Sequence, residues 1–354
     1  MKRKISIFNF FYIITPFIIL FFSFPSYANS KELNIYNWSN YLPQKVIYEF
    51  EKKTGIKVNY STFTSNAALY AKLKSDPTAG YDIVVPSNYY VEKMIKEGML
   101  HKINIREIAN LKYIKTNFLN QPFDPHNQYS VPYLWGATGI VINDKYFKPE
   151  EISKWFDIWN PNLENQLVML DDFRDVFSVA LIALGYSVND KNPKHIKEAY
   201  LKLKTLYPNI KLFNSSAPEN IYIDEDATIG MGWTGDSYQA ASRNSHLKFI
   251  YPEDGYAYFI DCLCIPKFAS HISNAYKFIN FVLQPKIAAQ IAAGIGYSTP
   301  NDAAWQYMPK SMRDSPIINP NSKVLKRGEL ERDLGGKIDA LYLHYWELLK
   351  IEGA

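Results

Sequence analysis

Between Leu33 and Gly98 the chain alternates short apolar strand patterns with amphipathic helices, and that alternation limits the folds open to it. Leu33–Asn37, Ile56–Tyr60 and Tyr81–Pro86 read as strands, and Pro43–Lys53, Asn66–Lys74 and a segment opened by Ser87-Asn88-Tyr89 read as helices. Val46, Ile47 and Phe50 share one helical face, and Gly55 and Gly98 stand where helices stop. A strand–helix order of this kind predicts an open parallel sheet with helices on its faces. Ligands of such sheets sit beyond the carboxyl ends of the strands. Trp38, Ser39, Tyr41, Ser87 and Tyr89 all follow strand ends. The middle repeats the grammar: a strand at Gln166–Leu170, a helix from Asp172, a helix over Pro193–Leu206, and strands at Ala227–Gly232 and Phe259–Pro266. Helices follow at Asn274–Leu283 and Lys286–Ala293, and a last one carries Leu341, Tyr345 and Leu348.

The first residues bear a different signature. Lys2, Arg3 and Lys4 precede an apolar run from Ile5 to Phe24 and the small-residue site Ser26-Tyr27-Ala28, which predicts a secretory signal peptide cleaved after Ala28. The alternative is an uncleaved anchor, against which Pro16, Ser23 and Pro25 interrupt the run. Three of the 39 Lys and Arg fall in this leader and none of the 35 acids does, so the remainder is nearly neutral and offers nucleic acid no electrostatic footprint. Roughly 325 residues exceed what one core usually serves, so two lobes are expected. Cys262 and Cys264 share a strand face at a spacing too long for an easy bridge and read as buried thiols. A metal pair would need two further ligands, and the six histidines are scattered.

Three motifs carry chemistry. Gly230-Met231-Gly232-Trp233-Thr234-Gly235 matches a dinucleotide fingerprint in letters, but Trp233 would fill the space a pyrophosphate needs. Asp172 and Asp175 sit at a strand-to-helix junction, where they either cap the helix or face a cleft to hold a cation, with Arg174 neutralising part of the charge. Asp261 stands inside the apolar strand YAYFIDCLCIP, a costly place for an acid without a positive partner. That partner is an internal Lys or Arg, or a bound cation. Trp233 with Asp236, and Tyr297 in GIGYSTPN, again set an aromatic ring and a polar group at element ends. No nucleophile elbow or HExxH motif is present, and the remaining enzyme alternative is a carboxylate-pair glycosidase.

Several blocks together (YNWSNYLP, GYDIVVPSNYYVEKM, QPFDPHNQYSVPYLWGATGI, LDDFRDVF and GIGYSTPN) resemble the periplasmic spermidine/putrescine-binding proteins of bacterial polyamine ABC transporters, over about Leu33 to Leu349. The resemblance implies an α/β, two-lobed periplasmic-binding-protein fold with a ligand cleft between the lobes. The lobes would be residues 29–136 with 260–305 and residues 137–259 with 306–354, behind the signal peptide at 1–28. It further implies a polyamine ligand, a membrane permease as partner, a periplasmic location, and neither cofactor nor stable membrane insertion after cleavage. Its ligand residues fall on Trp38, Ser39, Tyr41, Ser87, Tyr89, Asp172, Asp175, Trp233, Asp236, Phe259, Asp261, Tyr297 and Glu331. Spermidine-preferring relatives have Glu, Trp and Gln where this chain has Asp175, Phe259 and Glu331, whereas Phe259, Ser39 and Asp236 are similar to the putrescine-preferring branch. Asn40 is neutral where both branches tend to place an acid, and Glu331 either adds a charge or belongs to the solvated run KRGELERD. A rival to the transport receptor is a periplasmic sensor subunit that passes the same binding event to a signalling protein.

Overall fold

Strand β1 (Glu32–Trp38) turns Leu33, Ile35 and Asn37 inward, and the chain then enters α1 (Gln44–Thr54) directly after Pro43. Helix α1 buries Val46, Ile47 and Phe50 and stops at Gly55, whose φ of 68° is the left-handed turn that glycine adopts without a Cβ penalty. The computed structural model describes residues 31–352, so the expected signal peptide lies outside the described residues. The elements that follow are β2 (Lys57–Phe63), α2 (Asn66–Ser75), β3 (Ile83–Val84) and α3 (Asn88–Lys96). Strands β2 and β3 flank β1, both parallel to it.

A long strand, β4 (Ser130–Asn143), leads to β5 (Leu167–Met169), α4 (Phe173–Ala183), α5 (Pro193–Leu206), β6 (Ile210–Phe213), α6 (Pro218–Ile223), β7 (Ile229–Trp233) and α7 (Thr234–Arg243). Then come β8 (Leu247–Ile250), β9 (Tyr256–Cys264), α8 (Ile272–Val282), α9 (Pro285–Ile295), the short α10 (Lys310–Arg313) and α11 (Ser322–Leu325), β10 (Gly328–Leu330) and α12 (Gly336–Glu352). Strands β7 and β6 flank β5 as a second parallel trio.

The parallel pairing expected from the strand–helix alternation holds within each trio, and the sheet as a whole is mixed. Between the trios, β9 runs antiparallel to β3 and to β4, and β4 runs antiparallel to β7. The first half of β4 pairs with β9 and its second half with β7 and β8, so one strand passes from one lobe into the other. Nearly every residue of β4 is buried, which removes the alternation that would have marked it as a strand. Pro132 lies at a register shift, where a residue without an N–H is tolerated.

Each lobe has its own core. One gathers Leu33 and Ile35 of β1, Phe50 of α1, and the buried faces of α8 and α9. The other gathers Leu167 and Met169 of β5 with α4, α5 and Tyr342, Trp346 and Leu349 of α12. Trp233 packs against both. Cys262 and Cys264 are free, buried thiols in a third cluster beneath α3, and burial pushes both well above the ordinary thiol value. Among the described residues no single helix is long and apolar enough to cross a membrane.

Phe50 is fully buried, with its ring 5.1 Å from Phe278 and 5.4 Å from Phe281 between centroids. Phe50→Ala is expected to lose about 3–5 kcal/mol in urea unfolding. Tyr48→Ala, at a 60% exposed position of the same helix, is expected to stay within about 0.5 kcal/mol.

Candidate functional site

The parallel trios aim their carboxyl ends at a common cavity of about 660 Å³, within the usual size range of small-molecule sites. β1 delivers Trp38, Ser39 and Tyr41; β3 delivers Ser87 and Tyr89; β5 delivers Asp172 and Asp175; β7 delivers Trp233 and Asp236. Phe259 and Asp261 enter from the middle of β9, Tyr297 from beyond α9, and Glu331 from the end of β10. All thirteen ligand residues implied by the resemblance thus line one cavity. Its wall includes six carboxylates against the single guanidinium of Arg243.

Asp261 is 2% exposed, and the salt bridge considered for it is absent among the described residues. Its two oxygens instead accept hydrogen bonds of 2.6 Å from the Tyr41 hydroxyl and 2.6 Å from the Ser87 hydroxyl. Ser87 precedes α3 where a serine would ordinarily cap the helix, yet its side chain makes no cap bond and turns to Asp261. Asn66 holds this arrangement by donating to Ser87 Oγ and to the Tyr89 hydroxyl, each at 3.0 Å. Burial pushes the Asp261 carboxyl up to about 6, and the two hydroxyls act in the opposite direction.

Asp172 stands at both a helix start and the cavity wall. It caps α4, accepting from the backbone N–H of Arg174 at 2.8 Å and of Asp175 at 3.4 Å, and it also lines the cavity. Asp175, in the first turn of α4, accepts from the Thr138 hydroxyl and from Trp233 Nε1, the latter at 3.0 Å. Glu331 is 4% exposed, which removes it from the solvated run proposed for its segment. Its Oε1 is buried without a hydrogen-bond partner, and Arg174 Nε at 3.9 Å is beyond hydrogen-bond reach. Arg174 is buried beside the cavity, 5.1 Å from the centre of the Tyr89 ring, and donates to Arg332 O and Asn189 Oδ1. Burial raises all three carboxyls above the usual carboxylate range and the Arg174 guanidinium opposes the rise; Asp172 adds to it at Asp175, and Asp175 and Asp172 add to it at Glu331.

Opposite this group, Tyr297 donates to Asp236 Oδ2 at 2.9 Å. The Tyr297 ring lies flat on the start of α7, where a Cβ on Gly235 would stand 1.9 Å from its ring carbons. The GxGxxG letters are thereby explained by packing: Gly230 and Gly232 also sit where a Cβ would meet Val168 O at 2.2 Å and Ser237 Oγ at 2.6 Å. Burial, and then the neighbouring Glu219, push Asp236 up to about 7. The Tyr41 and Tyr297 rings meet edge to face at 5.1 Å, and Phe259 lies 6.5 Å from Tyr297. Trp38 is oriented by its indole N–H, which donates to Val85 O at 2.9 Å.

Sequence reasoning missed Tyr60, Phe63, Glu219 and Arg243 of the lining. Phe63 ends β2 and Glu219 follows β6; the strand-end rule would have found these two had β2 been read through Phe63 and β6 been read at all, whereas Tyr60 lies in the middle of β2. Among the described residues no group of three His, Cys, Asp or Glu could hold a metal ion.

Comparison with known proteins follows the same lines. Residues 45–319 match the family described as bacterial extracellular solute-binding protein. The chain is 42% identical over 323 residues to the spermidine/putrescine-binding periplasmic protein of Salmonella typhimurium, covering 91% of this chain and 92% of that one. It is 32% identical over 342 residues to the putrescine-binding periplasmic protein PotF of Escherichia coli, covering 91% and 92%. Among solved structures it is similar to the spermidine/putrescine ABC transporter substrate-binding protein PotD of Streptococcus pneumoniae, with a TM-score of 0.79 and 34% identity over 91% of this chain and 99% of that one.

The raised carboxyls make the ligand-free chain pH-sensitive. The folded chain keeps protons on Asp261 and Asp236 up to about pH 6 and 7, where an unfolded carboxylate has released them by about pH 4. The folded state therefore binds more protons in that window, and stability falls as pH rises through it. Thermal unfolding of the ligand-free chain between pH 5 and 8 is expected to show this decline, and Asp261→Asn to flatten it. A wild-type melting temperature that climbs over the same window would contradict the assignment.

Proposed function

The chain belongs to the family of bacterial extracellular solute-binding proteins, and we propose that it is a periplasmic polyamine receptor that delivers spermidine and/or putrescine to an ABC-type permease. The observation that carries this reading is Asp261, a buried carboxylate satisfied by two neutral hydroxyls in a cavity rich in other acids. Acids outnumber guanidinium groups in and beside this cavity, and a polyamine supplies further positive charge as separated ammonium groups on a methylene chain.

The two halves of that ligand need different surfaces. The carboxylates of Asp172, Asp175, Asp236, Asp261 and Glu331 take ammonium groups through charge-assisted hydrogen bonds, which are stronger than neutral ones. The rings of Trp38, Tyr41, Tyr89, Trp233, Phe259 and Tyr297 cover methylenes and attract cations by roughly 0.5–2 kcal/mol per contact. Ser39 and Ser87 complete the set, Ser87 by fixing Asp261. No catalytic step is assigned, because these carboxylates are deployed to hold charge.

Binding and lobe closure are one event in this scheme. We place the lobes at residues 29–136 with 260–305 and 137–259 with 306–354, which agrees with the separate cores. Asp261 then comes from one lobe and Asp172, Asp175 and Glu331 from the other. Closing without ligand crowds like charges, and a bound polycation reverses the sign of that contribution. The ligand thus favours the closed state by its differential affinity, and a permease can read that state from the outer faces.

Calorimetric titration of the chain from Asn29 with putrescine, spermidine and spermine tests the proposal. Micromolar or tighter affinity, about −8 kcal/mol, is expected for a polyamine, with none for a neutral sugar or an acidic amino acid. Asp261→Asn keeps the size of the side chain and is expected to weaken binding by roughly tenfold or more, the worth of a hydrogen bond to a charged group. Wild-type affinity in that variant would remove Asp261 from the site.

A further inference from the structure

Between β10 and α12 the chain runs as a strap, Glu331-Arg332-Asp333, that belongs to no helix or strand. Every backbone N–H and C=O of these three residues is nevertheless bonded. Glu331 N donates to Tyr258 O at 3.1 Å, Arg332 N to Asn189 Oδ1 at 2.7 Å and Asp333 N to Glu92 Oε2 at 3.1 Å. Asn88 Nδ2 donates to Glu331 O, Arg174 to Arg332 O at 3.1 Å and Lys191 Nζ to Asp333 O at 3.1 Å. Side chains therefore stand in for a ladder or a helical turn, and they come from two directions. Asn88 and Glu92 reach the strap from α3; Arg174, Asn189 and Lys191 reach it from the other lobe.

Helix α3 adds a set of ion pairs. Both oxygens of Glu92 accept from the Arg332 guanidinium, at 2.9 Å from Nε and 3.1 Å from a terminal nitrogen, the fork geometry that makes such a pair strong. Lys96 Nζ stands 2.7 Å from Asp333, and Lys93 Nζ stands 3.1 Å from Asp339 in the first turn of α12. The Glu92 and Asp333 side chains are 12% and 5% exposed, so solvent screens them far less than it does a surface pair. Burial works to raise the Glu92 carboxyl, but the bonds from Arg332, Asp333 N–H and Lys96 outweigh it and hold the group below its ordinary value. Neither Glu92 nor Arg332 lines the cavity, whereas Ser87 and Tyr89 at the start of α3 and Glu331 on the strap do.

We infer that Glu92 and Arg332 are positioning residues for ligand binding: they clasp α3 to the strap across the two lobes and so favour the closed arrangement in which Glu331 faces the ligand. This rests on the polyamine reading above and on the lobe placement given with it. The clasp acts without touching ligand. Apparent affinity scales with the fraction of molecules in the binding-competent arrangement, and the clasp raises that fraction. Breaking it frees the strap on its α3 side and removes a charged tie between the lobes, so a bound amine escapes sooner.

Calorimetric titration with spermidine and putrescine of the mature chain, of Glu92→Gln, of Arg332→Gln and of the double variant tests the clasp. Each single variant is expected to weaken binding about tenfold, and the double variant to lose no more than about threefold beyond either, as partners in one interaction do. Stopped-flow tryptophan fluorescence, with Trp38 and Trp233 in the cavity wall, is expected to place the loss in faster dissociation, with association within about twofold. Lys74→Gln breaks an ion pair with Glu97 at the far end of α3, inside one lobe, and is expected to leave affinity within about twofold. Unchanged affinity in both single variants, even with a lowered melting temperature, would make the pairs purely structural and overturn the clasp. Losses that multiply in the double variant, or an equal loss in Lys74→Gln, would overturn it as well while leaving polyamine binding in place. Failure of both amines to bind the unaltered chain would overturn the receptor reading and this inference with it.

Discussion

Burying several acids against a single buried guanidinium, Arg174, is the constraint from which the rest of the site follows. Asp261, Asp175 and Glu331 are nearly excluded from water, and the hydroxyls and N–H groups around the first two soften the penalty without cancelling it. At Glu331 even that compensation is incomplete, since one oxygen has no hydrogen-bond partner. Two separate cores, each with helices packed on the sheet, stand against that penalty.

The path of the backbone turns this penalty into a function. Because β4 pairs with β9 along its first half and with β7 along its second, the two parallel trios are held in one continuous sheet with their carboxyl ends converging. Each strand end then contributes a different kind of group. β1 and β3 bring rings and hydroxyls, β5 brings carboxylates at the start of α4, and β7 brings a ring followed by an acid. Asp172 shows how economical the arrangement is, since one carboxylate satisfies the first N–H groups of α4 and faces the cavity.

Much of this was legible in the sequence, and the residues show why. The helix over Pro193–Leu206 was readable to the residue because Asn192, Pro193 and an apolar stripe are all local signals. Asp261 stood out because an acid within an apolar strand breaks a two-residue pattern. Strand β4 escaped because burial on both faces leaves no pattern to break, and β6 escaped because four residues are too few to establish one. With β6 went Glu219, whose place in the cavity depends on the strand before it. The antiparallel joins between the trios escaped for a related reason: strand–helix alternation describes neighbours in sequence and says nothing about β9 returning beside β3.

The amino-acid order by itself determined where the main helices and several of the strands lie, that rings and acids gather at strand ends, and that Asp261 needed a partner. Those are consequences of periodicity and of the cost of burying charge, both of which act over a few residues. Only the tertiary structure decided what that partner is. Tyr41 reaches Asp261 across 220 positions of chain and Ser87 across 174, so no local rule could pair them. It likewise decided that Glu331 is buried and turned into the cavity, and that Glu219 stands beside Asp236. The proximity of charges from different lobes is set by the sheet that joins them, not by any spacing along the chain.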